Sequence, residues 1–378
     1  MSFSSSVTSL LSISTPPAHY LAQNPLNRLS FKREDKEFLR KAFTHPTTKF
    51  LPFYKLDPAV CKNTGELHYI SLADVRPYLA EHPIEKPEKD YLEAALENKK
   101  LAPVTIYLGT SSLGDSEKEW EAGNIFAIDI SSLDDLHKRL GESGVVFQNF
   151  RSLLVTGTIS IESFGICSFA RSLLDWNNRF MYCPGCGGPQ VASLAGTKRI
   201  CVQSALGRAD CPSKHGVNNY QYPRTDPCVI MAVLTHDKQR ILLGHGMRLP
   251  PGMLTCLAGF IEPGESIEEA VRRESYEEAG ITVEKVMYHS SQPWPFPQSL
   301  MIGCFGIAKE GSVISRDKDL ELDAADFFTR EQVREVINWD ASKGDALFKL
   351  PPPTSIAYRL IRAFAYDQWD ISGSTIKI

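Results

Sequence analysis

Between positions 259 and 281 the chain reads Gly259-Phe260-Ile261-Glu262-Pro263-Gly264-Glu265 and then Arg273-Glu274-Ser275-Tyr276-Glu277-Glu278-Ala279-Gly280-Ile281. Pro263-Gly264 makes a turn. Ser266 can N-cap a helix with Glu269 as its capping-box partner, and Gly280 stands where a left-handed C-cap belongs. On a helix so bounded, Glu274 and Glu278 lie at i and i+4 and share a face, with Glu277 beside them. Like charges at that spacing repel. A face that stacks carboxylates with no lysine among them calls for a compensating cation, and hard oxygen ligands suit Mg2+ or Mn2+. Arg273 can bond Glu265 and hold the preceding loop against the helix. A solvated acidic surface helix is the ordinary alternative, and glycine, proline and carboxylates at these fixed offsets argue against it.

A second constellation precedes the first. The chain has 9 cysteines, and four of them form the series Cys183-Pro-Gly-Cys186-Gly-Gly, Cys201 and Cys211-Pro. A glycine-flanked C-x2-C turn lets two thiolates face one ion, and four thiolates suit a closed tetrahedral Zn2+ site. His215 competes with Cys211 for the fourth place. Cysteines this sparse do not make a disulfide framework, so the cluster is expected to staple the fold rather than do chemistry. A third stretch, Ser291-Gln292-Pro293-Trp294-Pro295-Phe296-Pro297-Gln298-Ser299, alternates prolines with aromatic rings. The prolines predict a stiff extended loop. On it Trp294 and Phe296 would form a wall for a flat ring, with Gln292, Gln298 and Ser299 as hydrogen-bonding groups. On residues alone a structural proline-rich loop or a polyproline partner site stays open.

The acidic segment resembles the Nudix box, G-x5-E-x7-R-E-U-x-E-E-x-G-U. Gly259, Glu265, Arg273, Glu274, Glu277, Glu278, Gly280 and Ile281 match, and Ser275 departs from the usual aliphatic residue. The resemblance implies an α/β/α sandwich and hydrolysis of a nucleoside diphosphate linked to another group. About two or three divalent ions would neutralise the diphosphate and lower the pKa of the attacking water. It implies Glu274 and Glu278 as metal ligands, with the Ala258 carbonyl, and Glu277 as a further metal contact or general base. The proline-rich stretch is similar to the signature of the NADH pyrophosphatase subfamily, which also has a zinc ribbon ahead of the Nudix domain. By that likeness Tyr222, Phe260, Gln292, Pro293, Trp294, Pro295, Phe296, Pro297, Gln298, Ser299 and the Ala357 backbone bind substrate. Glu321 is a distal metal ligand, with Asp319 and Asp323 as rivals. The likeness covers about 175–364 and is weaker before that.

These residues need elements to position them. The expected architecture is an α+β multidomain chain: a loose tail at 1–26, an N-terminal NADH-pyrophosphatase-like α/β domain at 27–178, a zinc ribbon at 179–222 and a Nudix α/β/α sandwich at 223–370. Strands are predicted at Val104–Leu108, Ile125–Ile130, Pro227–Leu234, Arg240–Gly244, Ile281–Tyr288 and Ser299–Ala308. Helices are predicted at Ser132–Leu140, Ser160–Asn178, Ser266–Ala279, Arg330–Trp339 and Ile356–Trp369, and a surface loop at Glu81–Lys89. The N-terminal region carries no chemistry-bearing motif and reads as a docking or dimerisation domain. No internal repeat is detectable.

Composition bounds the function. In 378 residues, 43% are hydrophobic and 23% charged, and the net charge is −4. That excludes a disordered chain or a coiled-coil rod, and no strong positive field exists to hold duplex DNA. No apolar run approaches the roughly 18 residues needed to span a bilayer. The Ser-rich start has no Lys or Arg before Arg28, which argues against a secretory signal or a transit peptide. The expected reaction is cleavage of NADH or NAD+ to NMN(H) and AMP, with Mg2+ or Mn2+ at the acids and one structural Zn2+. ADP-ribose and dinucleoside polyphosphates are unranked further substrates. The same site could remove the NAD cap of an RNA, served by Lys198, Arg199 and Arg208. A non-catalytic binding module would have lost its carboxylates, and here all are present. The likeness also implies a homodimer. Cytosol is the expected compartment. The terminus Ile376-Lys377-Ile378 partly resembles a peroxisomal tripeptide but has Ile376 where a small residue belongs.

Overall fold

The computed structural model describes residues 19–79, 82, 88–97, 99, 101–111, 123–208, 210–215, 222–340 and 344–368. The predicted loop Glu81–Lys89 falls mostly outside them, and so do most of the predicted tail and the terminus Ile376-Lys377-Ile378.

The N-terminal domain is built on β1 (Lys49–Tyr54), β2 (Asp57–Cys61), β3 (Ile70–Ser71), β4 (Thr105–Thr110), β5 (Asn124–Asp129) and β6 (Val145–Phe147). They form one sheet in the order β4-β5-β1-β2-β6, with β3 also on β1. Strand side chains alternate between faces, and β1 shows it. Phe50 packs with Phe38, Ala42 and Phe43 of the Lys36–Thr44 helix. Leu51 and Phe53 pack with Phe164, Ala170 and Leu174 of the Ile161–Arg179 helix on the other side. The ribbon follows as a two-stranded sheet of β7 (Gln190–Ser193) and β8 (Lys198–Cys201).

The C-terminal domain contains β9 (Asp226–Leu234), β10 (Arg240–Gly246), β11 (Leu257–Phe260), β12 (Val283–Trp294), β13 (Ser299–Ala308) and β14 (Leu322–Thr329). The sheet order is β12-β13-β9-β10-β14, with β11 on β9. Again alternation makes two cores. Val229, Met231 and Val233 of β9 pack on Ala270, Val271 and Ala279 of the Ile267–Ala279 helix. Ile230, Ala232 and Leu234 pack on Leu360, Ile361 and Phe364 of the Ile356–Ala365 helix. This is the expected α/β/α sandwich.

The two large sheets have one topology. β13 runs parallel to β9 as β5 does to β1, and every other pairing is antiparallel in both. The sequence shows no repeat because a sheet constrains which positions are apolar far more than which residues fill them.

The predicted helices and strands form, with ends shifted by a few residues. One difference matters. The strand expected to stop at Tyr288 runs on to Trp294 and turns back at 295–298 into β13. Pro293 is tolerated in it because β12 is the edge of its sheet, where a missing N–H costs no ladder bond. The tip of this hairpin, with a cis Phe296–Pro297 bond, leaves its own domain. Phe296 lies between the guanidinium groups of Arg151 and Arg171, 4.3 and 4.9 Å from its ring centre, and 5.8 Å from Phe150. Arg171 also donates to the Pro295 carbonyl. Phe296 is therefore an anchor between domains, and truncating it to Ala should destabilise the protein by about 2–4 kcal/mol, read as a lower urea midpoint.

Candidate active site

The acidic helix has the local structure its sequence calls for. Ser266 Oγ accepts from Glu269 N at 3.2 Å, and Glu269 Oε2 accepts from Ser266 N at 2.7 Å. Gly280 closes the helix at φ 70°, and a Cβ there would meet Ser315 at 2.9–3.0 Å. Gly259 of β11 is needed for a different reason: a Cβ on it would lie 2.0 Å from the carboxyl carbon of Glu274. Ser275 is fully buried and donates its hydroxyl to the Val271 carbonyl at 2.7 Å, so the small polar residue is satisfied within the helix.

Arg273 is the hub. A guanidinium has five N–H donors, and this one makes five hydrogen bonds. They reach Glu265 Oε1 (2.6 Å) and Oε2 (2.8 Å), Glu274 Oε1 (2.8 Å), Glu277 Oε2 (3.0 Å) and the Phe260 carbonyl (2.8 Å). The Arg273 contact holds the Glu265 carboxyl down to about 2, helped by a hydrogen bond from Glu262 N. Loop, strand end and helix are thereby tied at one point.

Glu278 is outside that arrangement. It is 4% exposed, and among the described residues no ion pair reaches it. Burial pushes its carboxyl up to about 8, reinforced by the charges of Glu274, Glu321 and Asp319 and opposed by a backbone hydrogen bond from Ala258. Glu274 is raised too, by burial against the pull of Arg273. Glu277 stands at the rim, its side chain 45% exposed. Of the distal acids, Asp319 accepts from Glu321 N at 3.0 Å, whereas Asp323 is taken by His245 at 2.6 Å. So Glu274, Glu278 and Glu321 converge, with Asp319 beside them and Asp323 turned away. Among the described residues Glu278 has carboxylates for neighbours and no ion pair, and the donor set fits a hard divalent cation. No three of these carboxylates lie within 4.8 Å of one another as the four cysteine sulfurs do.

The acids sit at one end of the sheet. Phe260 of β11 is opposite Cys228 of β9, and Ser299 of β13 is opposite Asp226. The Cys228 thiol is held up to about 12 by burial and then by Glu274 and Glu278. Two residues further back begins a cleft of about 680 Å3 lined by Tyr222, Pro293, Trp294, Gln298 and Ser299. Tyr222 is 42% exposed and Phe260 58%, so both rings are open to a flat group, and Lys198 Nζ lies 4.9 Å from the Tyr222 ring centre. At the Ile356–Ala365 helix, Ser355 Oγ caps Tyr358 N and Gln292 Oε1 takes Ile356 N. The Ala357 N–H is left without an acceptor among the described residues.

Several expected contacts are corrected. Gln292 is fully buried. Its Nε2 donates to the Tyr20 and Thr354 carbonyls, both at 2.9 Å, so its amide knits domains and is not offered to a ligand. Phe296 faces the N-terminal domain, and the Pro295 carbonyl and adjoining Pro297 belong to the same docked tip. Gln298 Oε1 accepts from Arg179 and its Nε2 donates to Asp226. Arg199 is buried, bonded to Asn177 and to the Gln190 carbonyl, and Arg208 faces Glu93 at 3.5 Å. Of the three basic residues expected to serve RNA, only Lys198 approaches the cleft, through the Tyr222 ring. Two that composition did not flag, Arg28 and Arg33, line its far wall. Their sequence separation from the box hid them.

The cysteine cluster closes as its spacing suggests. Cys183 and Cys211 sulfurs are 3.6 Å apart, Cys186 and Cys201 3.5 Å, and all four lie within 4.8 Å of one another. A tetrahedron with Zn–S bonds of about 2.3 Å has edges of about 3.8 Å. Gly187, at φ 71°, turns the chain so that its amide meets the Cys183 carbonyl at 2.7 Å. His215 is outside, 2.5 Å from Asp210.

Comparison with known proteins agrees with this geometry. The "NUDIX domain" family description matches residues 225–349, and "NADH pyrophosphatase-like rudimentary NUDIX domain" matches residues 31–176. The chain is 48% identical over 366 residues to the NAD-capped RNA hydrolase of Schizosaccharomyces pombe, covering 96% of both chains. It is 38% identical over 362 residues to the NAD-capped RNA hydrolase NUDT12 of Homo sapiens, covering 91% of this chain and 72% of that one. It is 35% identical over 209 residues to the mitochondrial NAD(P)H pyrophosphatase NUDT13 of Homo sapiens, covering 54% and 55%.

The state of Glu278 has a measurable consequence. In the unfolded chain its carboxyl ionises near 4.5, in the folded chain near 8. The folded state binds the extra proton, so this residue lowers stability as pH rises from about 4.5 to 8, and its full cost stands above 8. In EDTA, Glu278→Gln should melt several degrees above the unsubstituted protein at pH 8.5, and the gap should close towards pH 5.

Proposed function

The chain belongs to the Nudix hydrolase family, and from that premise we propose that it hydrolyses the central diphosphate of NADH or NAD+ to NMN(H) and AMP, and by the same cut removes an NAD cap from RNA. It is an enzyme acting on a pyrophosphate bond. The observation that carries the reading is Glu278, enclosed among carboxylates beside a cleft rimmed by open aromatic rings.

Glu274, Glu278 and Glu321, with the Ala258 carbonyl, would hold Mg2+ or Mn2+. Such ions supply charge neutralisation for the diphosphate and a lowered pKa for the attacking water. The chain's own residues do the rest. Arg273 fixes the acids and the loop before them. Glu277, with Oε2 on Arg273, keeps Oε1 to receive the proton that water loses as its oxygen bonds to phosphorus, while the bridging P–O bond breaks. Glu278 is the other carboxylate suited to that proton. Tyr222, Phe260 and Trp294 grip flat groups, and the Ala357 N–H offers a donor to substrate. Cys183, Cys186, Cys201 and Cys211 are proposed to hold one structural Zn2+. A homodimer is proposed, with the exposed apolar residues Met181 and Tyr182 as its surface. The proposed compartment is the cytosol; among the described residues no helix is long and apolar enough to cross a membrane.

Purified protein with Mn2+ should cleave NADH, and Glu278→Gln should lower kcat by about 100-fold or more with the fold intact. Full activity in that variant would remove the acidic helix from the reaction. Cys211→Ser should drop bound zinc from about one per chain towards none and lower the melting temperature, checked by metal analysis beside a thermal scan.

A further inference from the structure

The cleft has a second wall that the reading above does not use. Arg28 and Arg33 line it from the N-terminal domain, across from Pro293, Trp294 and Ser299. Their guanidinium carbons lie 4.1 and 6.0 Å from the centre of the same Phe169 ring. Arg28 is exposed and Arg33 half-buried; partial desolvation lowers the basicity of both and Arg28 adds its repulsion to Arg33. Arg224, a third arginine of the cleft, is already answered by Asp226 at 2.6–2.8 Å. Arg33 Nε and Asn24 Nδ2, from two residues of this cleft, are enclosed and make no hydrogen bond. Among the described residues no carboxylate pairs with either guanidinium, and two guanidiniums beside enclosed unsatisfied donors suit an anion.

The diphosphate does not supply that anion, because its place is at the acids. From Cys228, which senses Glu274 and Glu278, to Asp226, whose strand partner Ser299 lines the cleft, is two strand residues, about 6–7 Å. A second phosphate at that remove fits the wall. We propose that Arg28 and Arg33 form a subsite for a phosphate carried on the adenosine half of the dinucleotide, beyond the diphosphate. The proposal rests on the NAD(H) reading. Two sources present this group: the 3′ phosphodiester through which an RNA continues from its NAD cap, and the 2′-phosphate of NADPH. The nicotinamide half carries no further phosphate, so the proposal also sets the orientation, adenosine towards the N-terminal domain. Arg28 over Phe169 gives a guanidinium–aromatic platform of the kind on which a following base stacks.

The test compares kcat/KM for NADH, NADPH and a short NAD-capped RNA in the full chain and in Arg28→Gln/Arg33→Gln. The ratio of a phosphate-bearing substrate to NADH should fall about 10-fold or more. A fall in the RNA arm alone identifies the 3′ chain as the source, and a fall in the NADPH arm alone identifies the 2′-phosphate. Unchanged ratios, or equal losses on all three substrates, overturn the subsite and leave the arginines as supports of the cleft wall. Arg28 is exposed, so Arg28→Gln alone, with an expected fall of about threefold, keeps the question answerable if the double variant does not fold. If the unsubstituted protein cleaves none of the three, the NAD(H) reading itself fails, which is a different outcome from unchanged ratios.

Discussion

Glu278 is buried in a ring of other acids, and among the described residues no cation pairs with it. Everything around it is arranged so that this can persist. Arg273 answers Glu265, Glu274 and Glu277 with its five donors and makes no contact with Glu278. Positive charge is thus placed where it fixes shape and withheld where an ion would bind. Gly259 lets the Glu274 carboxylate lie against the strand. The Val229, Met231 and Val233 face of β9 holds the acidic helix to the sheet against that repulsion. The site is a local loss of stability, tolerated because the sandwich around it is well packed.

The same sheet occurs twice, and the copies have divided the work. After β11 comes the loop and acidic helix; after β3 comes the four-residue helix Leu72–Val75, whose one acid is Asp74. The N-terminal copy kept the pairing scheme without the carboxylate face. It receives Phe296 between Arg151 and Arg171, and it shares Gln292 through the Tyr20 carbonyl. In return its Arg28, Arg33 and Phe169 complete the cleft beside the acids. A domain without chemistry of its own becomes one wall of the other domain's binding surface.

Local features were legible in the sequence and long-range ones were not. The capping box at Ser266, the turn at Gly280, the Arg273–Glu265 pair and the cysteine quartet all depend on residues close in sequence or fixed by spacing, and they stand as read. Gln292 and Phe296 sit in a stretch whose sequence suggests a free loop, but their side chains are held by distant parts of the chain. Their partners at Tyr20, Thr354, Arg151 and Arg171 lie between 62 and 272 positions away or on another domain. Arg199 looked like surface charge, yet it is buried, since nothing local announces that Asn177 and Gln190 will accept its hydrogen bonds. Asp323 and Glu321 were separable only once β14 showed His245 taking Asp323. The duplicated topology escaped for the same reason, since hydrogen-bond pairing between strands leaves no trace in residue identity.

The central claim is that the acids around Glu278 exist to gather divalent cations, and anomalous diffraction from crystals soaked in Mn2+ tests it most directly. The account predicts manganese peaks bounded by the carboxylates of Glu274, Glu278 and Glu321. Manganese found only at exposed acids elsewhere, with Glu278 bare, would contradict it.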